Sequence, residues 1–166
     1  EFGTSEAPVI PIVIYSGDSQ ATKAVVKTTV YQFKGIQEFL NALKSKYGKP
    51  SWAYISQQNN LISKEGLTDI ASFEQTFDLT KWQQKYLALP DALKNGFYLV
   101  ESTYGDLTAQ VLIQSTDLAA YFTTSNTNTL FWVNNLKTGK AEASANVFVS
   151  ADSKNYITDA SGIASF

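Results

Sequence analysis

Along most of the chain, hydrophobic and polar residues alternate with the two-residue period of β-strands. Short polar segments rich in Gly, Asn, Asp and Thr separate these stretches, as is typical of turns. The alternation predicts strands at 7–15, 24–33, 52–55, 70–79, 97–100, 107–113, 118–123, 129–133, 145–149 and 163–166. Strands at such short and regular spacing favour antiparallel sandwiches over a parallel α/β sheet.

One segment, residues 35–47, has the periodicity of a helix instead. Its apolar stripe consists of Ile36, Phe39, Leu40, Leu43 and Tyr47. The residues predicted to face water are Gln37, Glu38, Asn41, Lys44 and Lys46. Gly48 and Pro50 are expected to end the helix. We expect the stripe to pack on a sheet face or to cap one end of a sandwich; a groove for a partner is the alternative.

Two proline residues and one tight turn shape the first half of the chain. Pro8 and Pro11 cannot donate to a central ladder, so the first strand is expected at an edge. Residues 80–93 are predicted to form a long connection that includes a turn of helix. Asn95-Gly96 then predicts a tight turn that leads into strand 97–100.

The pattern of strands and turns in the last part of the chain predicts an antiparallel meander. Strand 129–133 leads into a turn at Lys137–Lys140, where Gly139 is free to adopt a positive φ. Strand 145–149 follows, and Thr158–Gly162 forms the next turn before strand 163–166. Such a meander is a scaffold, and its sequence carries no pattern of a nucleophile, a metal cluster or a phosphate loop.

These elements predict a mainly β protein of two tandem antiparallel β-sandwich domains, the first with one short α-helix. The best boundary lies at Tyr104-Gly105-Asp106. We expect residues 1–6 to be a remnant of a cloning site, 7–103 to form the first sandwich with helix 36–47, and 104–166 to form the second. A seven-stranded sandwich usually needs about 100 residues, so the second domain is predicted to be truncated.

Composition narrows the functions that the chain can have. Its 166 residues carry a net charge of −2, with no Cys and no His, and all 13 basic residues are Lys. There is therefore no thiolate nucleophile, no disulfide and no imidazole base or ligand. The charge balance offers no basic field for nucleic acid and no polybasic patch for a membrane. A Cys-free, β-rich chain favours an extracytoplasmic location.

Carboxylates are the remaining candidates for chemistry. Asp152 with Asp159, and Asp106 with Asp117, could provide oxygen ligands for calcium at turns. Asp in turns usually caps its own backbone, and we favour that interpretation, so no metal or other cofactor is expected. A glycosidase pair could be drawn from Glu38, Glu65, Glu74 and Glu101. No motif selects such a pair, and a hydrolase is therefore a remote alternative.

Aromatic residues could form a sugar-stacking platform. The candidates are Trp52, Trp82, Trp132, Tyr54, Tyr86, Tyr98, Tyr104, Tyr121 and Tyr156. Most of them occupy alternating strand positions that a sandwich would bury, so we expect core packing. Trp82, in the long connection, is the best candidate for an exposed aromatic.

Three segments resemble the macroglobulin-like domains of bacterial alpha-2-macroglobulins. Residues 86–101 resemble the family's L-x-L-P … L-x-x-G-x-Y-x-V-E closing strand. Residues 130–140 are similar to its V-W-V-T-D-L-x-T-G-K-P-V strand and turn, and residues 158–164 are similar to its T-D-A-D-G-V-A turn. Here Asn134-Asn135 replaces Thr-Asp, and Ala141-Glu142 stands where Pro-Val is usual.

The resemblance implies a structural, non-catalytic fragment from the N-terminal half of a large envelope protein that traps proteases. Its partners would be neighbouring domains of the parent chain and, through the parent, target proteases. The family's Cys-x-Glu-Gln thioester is absent because the chain has no Cys. No catalytic, cofactor-binding or metal residue is assigned, and a monomer is expected. The alternative is a surface adhesion or carbohydrate-binding module of another secreted protein.

Overall fold

The computed structural model describes residues 1–15, 20–48, 50, 52, 55, 60–149 and 154–166. These residues divide into two compact units, Glu1–Ser115 and Thr116–Phe166. Unit 1 contains β1 (Val9–Ile12), β2 (Lys23–Gln32), α1 (Ile36–Tyr47), β3 (Thr68–Asp78), β4 (Lys85–Ala88), β5 (Gly96–Tyr104) and β6 (Leu107–Ser115). Unit 2 contains β7 (Leu118–Thr124), β8 (Thr129–Asn135), β9 (Lys140–Ala141), β10 (Asn146–Val149), β11 (Lys154–Ile157) and β12 (Ile163–Ser165).

Unit 1 is built on a four-stranded antiparallel sheet with the order β3-β2-β5-β6. β1 and β4 form a separate two-stranded antiparallel ribbon, in which Val9 pairs with Ala88. Of the two central strands, β2 alternates between buried and more exposed residues, whereas residues 98–101 of β5 are buried in succession because both faces of that strand are covered. The predicted alternation of strand 24–33 is confirmed: Val26, Thr28 and Val30 are buried on one face of β2.

The ribbon side of the sheet holds the larger core of unit 1. Its buried members are Val26, Val30, Phe77, Leu87, Leu89, Leu93, Tyr98, Val100 and Ile113. Ile10 and Ile12 of β1 pack against this cluster from the ribbon. Phe2 does so as well, and its N–H donates to the carbonyl of Gln114 at 3.0 Å. A residue assigned from the sequence to a cloning remnant thus packs on the sheet.

The opposite side of the sheet is covered by α1, as its apolar stripe predicts. Phe39 and Ala42 pack with Phe33 and Leu99, and the rings of Phe39 and Phe97 lie 4.8 Å apart. Gly35 has no side chain to cap the helix, so the Glu38 carboxylate accepts the N–H of Lys34 at 3.0 Å instead.

The ends of the predicted stripe differ from expectation. Ile36 and Tyr47 are exposed, whereas Lys46, predicted to face water, is buried. Lys46 is held in this position by Asn60, whose backbone carbonyl accepts a hydrogen bond from the Lys46 ammonium at 3.3 Å. The helix ends before Gly48, as predicted, and the Gly48 N–H donates to the carbonyl of Lys44 at 2.8 Å.

The side chain of Gln75 joins the ribbon to the sheet. Its amide nitrogen donates to the carbonyl of Tyr86 at 3.0 Å, and its amide oxygen accepts the N–H of Ala88 at 3.1 Å. β4 pairs with β1 on its other side, so these groups would otherwise lack a backbone partner in the described structure. The Gln75 amide therefore provides the donor and the acceptor that a residue of a neighbouring strand would provide.

Unit 2 contains a small antiparallel sheet with the order β12-β8-β7, extended by β9 on β8. β10 and β11 form a separate hairpin. Gly162, at φ +75°, begins the return into β12; a Cβ there would lie 2.5 Å from the carbonyl oxygen of Val133. Glycine is thus required on two counts, its positive φ and this close approach.

The structure differs from three predictions about connectivity. Tyr104-Gly105-Asp106, predicted as the domain boundary, lies in a β-hairpin: Tyr104 pairs with Leu107, and unit 1 continues to Ser115. Residues 80–93 contain β4 rather than a turn of helix: β4 pairs with β1, and its Leu87 is buried in the core between the ribbon and the sheet. The last strands do not form a simple meander, because β12 pairs with β8 and β10 pairs with β11. The predicted strand 52–55 lies largely outside the described residues.

Two valines on opposite faces of β2 test the layered arrangement of unit 1. Val30 is 0% exposed and Val25 is 46% exposed. We expect Val30→Ala to lower the free energy of unfolding of unit 1 by about 2–3 kcal/mol, since it removes two buried methyl groups and leaves a cavity. Val25→Ala, the matched control, should cost less than about 1 kcal/mol. Urea titration of each variant measures the difference; equal losses would contradict the assignment of faces.

Candidate functional site

A polar cluster lies on the helix side of the unit 1 sheet. The ammonium of Lys64 donates to the Glu101 carboxylate at 2.7 Å and lies 5.7 Å from the centre of the Tyr31 ring. Glu101 is nearly buried, and the amide nitrogen of Gln110 donates to its other oxygen at 2.8 Å. Each oxygen of this carboxylate thus has its own donor.

The charge of Glu101 controls the ionisation of its partner. The hydrogen bond to Glu101, reinforced by its negative charge, raises the pKa of the Lys64 ammonium above its ordinary value of 10.5. The Lys64 ammonium therefore stays protonated at neutral pH. Its environment stabilises charge rather than generating a neutral amine, so it is poorly suited to a nucleophile or a base.

The cluster fastens a loop to the sheet. The Gln110 amide oxygen accepts the N–H of Ile62 at 2.6 Å, and its nitrogen donates to the carbonyl of the same residue at 3.1 Å. Ile62 and Leu67 of this loop pack against the core around Leu99. The polar contacts thus hold residues 60–67 over the part of the sheet that α1 leaves open.

A groove of about 650 Å³ opens beside the C-terminal end of α1, within unit 1. Lys46, Tyr104 and Ile14 are among its lining residues, and none of the lining residues that the structure describes is acidic. The Lys46 ammonium donates to the carbonyl of Asn60 at 3.3 Å, and burial lowers its pKa below 10.5. A single amine without an acidic partner in the groove provides no acid–base pair.

Of the four carboxylates considered for calcium, the structure shows how Asp159 is used. The Asp159 carboxylate accepts the N–H groups of Ser161 and Ile163 at 2.8 and 3.0 Å, so it caps its own turn. Asp152 lies outside the described residues, and Asp106 and Asp117 belong to different units. Within the described ranges, no group of three acidic side chains could hold a metal ion.

The glutamates considered as a glycosidase pair have structural contacts. Glu38 caps the start of α1, and Glu101 holds Lys64. Glu74 lies 3.5 Å from the ammonium of Lys27 on the helix side of the sheet, where both side chains are exposed. Glu65 lies in the loop between α1 and β3, where its N–H donates to the hydroxyl of Ser63.

The expectation that most aromatic residues pack in a core is wrong. Tyr98 is buried, and its hydroxyl donates to the carbonyl of Lys94 at 2.7 Å. Trp82 is fully exposed, as predicted. Exposed against expectation are Trp52, Tyr86, Tyr121 and Trp132. Tyr104 and Tyr156 are partly buried, and Tyr54 lies outside the described residues. The prediction of core packing assumed that a second layer covers every strand. The described residues of unit 2 provide no such layer.

Unit 2 presents aromatic side chains on both faces of its sheet. On one face, Phe122, Phe131 and Phe166 stack at centroid distances of 5.8 Å, and Tyr156 continues the row at 4.4 Å. On the other face, the rings of Tyr121 and Trp132 lie 6.2 Å apart. We call the pair of Tyr121 and Trp132, together with the exposed edge of β7, the β7 surface.

The signal for this arrangement is present in the sequence. Tyr121-Phe122 and Phe131-Trp132 are adjacent aromatic pairs, and adjacent strand residues point to opposite faces. Only the register shows that they lie opposite one another, Tyr121 with Trp132 and Phe122 with Phe131. Exposed aromatic residues in such a cluster are candidates for an interaction surface.

The described architecture is mainly antiparallel β with one short helix, so the predicted fold class is confirmed. No helix among the described residues is long and apolar enough to cross a membrane. No protein-family model and no curated protein matches the sequence.

Two solved structures share this fold. One is native alpha-2-macroglobulin from Escherichia coli spanning domains NIE-MG1, with 15% identity and a TM-score of 0.53, over 89% of this chain and 74% of that chain. The other spans domains MG0-NIE-MG1 of the same protein, with 14% identity and a TM-score of 0.53, over 86% of this chain and 47% of that chain. The resemblance to bacterial alpha-2-macroglobulins noted in the sequence is thus confirmed at the level of the fold.

Titration of Lys64 tests the polar cluster. A lysine pKa that is raised on folding contributes stability below the unfolded value of 10.5, and this contribution is lost as the pH rises through the higher folded value. We expect Glu101→Gln to return the Lys64 pKa toward 10.5, because the variant removes the negative partner. NMR titration of the lysine side chains measures this, with exposed Lys27 as the internal reference. An unchanged Lys64 midpoint would contradict the assignment.

Proposed function

We propose that this chain is a non-catalytic structural segment of a bacterial alpha-2-macroglobulin-like protein that traps proteases. It would comprise two consecutive domains from the N-terminal half of that protein, in an extracytoplasmic location. Its immediate partners would be neighbouring domains of the parent chain, and proteases would be met through the parent.

The observation that carries this proposal is the extent of the structural match. Unit 1 accounts for residues 1–115 of 166, so a match over 89% of the chain includes part of unit 2 as well. A chance similarity between small β domains would be expected to cover one unit alone rather than parts of both. The order of the sequence segments that resemble the family adds independent support.

The chemistry of unit 1 is consistent with a structural role. The Lys64–Glu101 ion pair fastens a loop, the buried amine of Lys46 contacts a backbone carbonyl, and the described lining of the groove contains no acidic side chain. A catalysed reaction would need polar groups that converge on an open cavity. The polar groups named here instead form contacts within the protein.

The aromatic rows of unit 2 support a proposal about its domain. A β-sandwich buries the inner faces of two sheets, whereas Phe122 is 70% exposed on the face that carries the four-ring stack. We propose that unit 2 belongs to an incomplete sandwich whose second sheet would cover this row. In that organisation the second domain begins near Thr116, the first residue of unit 2.

Protease trapping is tested with the full-length protein that contains this chain. After reaction with trypsin, the mixture should still hydrolyse a small peptide substrate but should largely lose activity on a large protein substrate, because an enclosed protease admits only small molecules. The 166-residue chain alone, as control, should change neither rate. Loss of both activities, or of neither, with the full-length protein would contradict the proposal.

A carbohydrate-binding or adhesion module is the second candidate, and the exposed pair of Tyr121 and Trp132 favours it. Sugars stack on exposed aromatic faces. A glycan array separates the two functions: the structural proposal predicts no retained glycan. A glycan that is bound by the native chain, lost in Trp132→Ala and retained in Trp82→Ala would establish the alternative.

A further inference from the structure

We propose that the β7 surface pairs with the same surface of a second copy of this chain, in an antiparallel register centred on Tyr121. The pairing would join two unit 2 sheets edge to edge into one continuous sheet. This inference concerns the 166-residue chain by itself, in which no described strand lies outside β7, and it departs from the monomer expected from the sequence.

The first observation is that β7 is an open edge. It lies at the end of the order β12-β8-β7, and no described strand pairs with its outer side. The opposite edge strand, β12, has only three residues, whereas β7 has seven. A long open edge offers a row of backbone donors and acceptors to another strand.

The second observation is that β7 lacks the features that usually protect an edge. The edge strand β3 of unit 1 carries Asp69, Glu74 and Asp78, and such charges oppose pairing with another strand. β7 has the sequence LAAYFTT, with no charge, no proline and no glycine. Its Tyr121 is 65% exposed and its Phe122 is 70% exposed.

Hydrogen bonds at the two ends of the β7–β8 ladder show which backbone groups point outward. Leu136 donates to Asp117 at 2.6 Å, and Ser125 donates to Asn128 at 2.8 Å. Since hydrogen-bonded pairs alternate along an antiparallel ladder, the odd-numbered residues of β7 bond to β8. The N–H and C=O groups of the even-numbered residues therefore face the open edge, although the N–H of Leu118 already donates to the hydroxyl of Thr116.

These outward groups are self-complementary. In an antiparallel pair of β7 strands with a twofold axis at Tyr121, Ala120 lies opposite Phe122 and Leu118 lies opposite Thr124. All four residues are even-numbered, so each pair directs its backbone groups at the other strand, and about six hydrogen bonds can form. This register also uses the whole length of β7, which no shifted register does.

The side chains fit the same register. On one face, each Phe122 would lie against the small Ala120 of the other copy, so that large and small residues alternate. On the other face, the two Tyr121 rings would meet at the axis, each flanked by its own Trp132. Cross-strand aromatic pairs of this kind stabilise antiparallel sheets. A net charge of −2 per chain gives little repulsion against association.

Sedimentation velocity of the 166-residue chain, from about 1 μM to about 1 mM, tests the pairing. We expect a species of twice the 18.3 kDa chain mass at the upper concentrations. Tyr121→Lys should weaken dimerisation at least about tenfold, because it places two ammonium groups together at the axis. Trp82→Lys adds the same charge at an exposed aromatic of unit 1, and it should dimerise like the native chain.

Cross-linking tests the register and does not depend on how Tyr121→Lys folds. The chain has no cysteine, so one introduced thiol can join only to its copy. Residue 121 would face itself at about 4.5 Å between Cα atoms, within the range of a disulfide. Tyr121→Cys should therefore cross-link rapidly under oxidation. Thr123→Cys, on the same face but opposite Ala119, should cross-link far more slowly.

Three outcomes would overturn the proposal. The first is a native chain that remains monomeric over the whole concentration range. The second is a dimer that a folded Tyr121→Lys variant retains unchanged, which would place the contact elsewhere. The third is equal cross-linking of Tyr121→Cys and Thr123→Cys, which would show random collision or another register.

Discussion

The central strands of the unit 1 sheet bury apolar side chains on both faces, and the rest of the unit follows from covering those side chains. Val30 and Leu99, on neighbouring central strands, point to opposite sides and are both fully buried. Water must therefore be excluded from each side by a separate element. The β1–β4 ribbon supplies one cover, and α1 with the loop at 60–67 supplies the other. Neither cover contributes a strand to the sheet, so both are held by side chains.

Two glutamine amides meet the resulting shortage of backbone partners. A short ribbon or loop on a sheet face carries N–H and C=O groups that cannot all be satisfied within it. Gln75 reaches from β3 to β4, and Gln110 reaches from β6 to Ile62, each with one donated and one accepted hydrogen bond. The primary amide is suited to this because it has the donor and acceptor of a peptide group. Glutamate at either position would keep the reach but lose the donor.

The elements that depend on local periodicity were predictable, and those that depend on distant partners were not. The alternation of β2 and the stripe of α1 identify both elements, because burial on one face leaves a regular trace. The contact of Lys46 with Asn60 joins residues fourteen positions apart in the chain, which the periodicity of the helix does not contain. The sequence Tyr104-Gly105-Asp106 is equally typical of a linker and of a hairpin turn. The pairing of Tyr104 with Leu107 shows that it is a hairpin turn. Similarly, the β7 surface follows from which strands have no neighbour, a property of topology rather than composition.

The ribbon also imposes an order on folding. β5 and β6 are joined by a tight turn, as are β7 and β8, so these hairpins can close soon after their residues leave the ribosome. β1 is synthesised long before its partner, since Val9 pairs with Ala88. Until β4 exists, Val9, Ile10 and Ile12 have no strand to join and remain available to other chains. Pro8 and Pro11 limit that risk, because neither can donate to a passing strand. The two prolines that restrict β1 to an edge position in the folded protein thus also limit its pairing with other chains before β4 is synthesised.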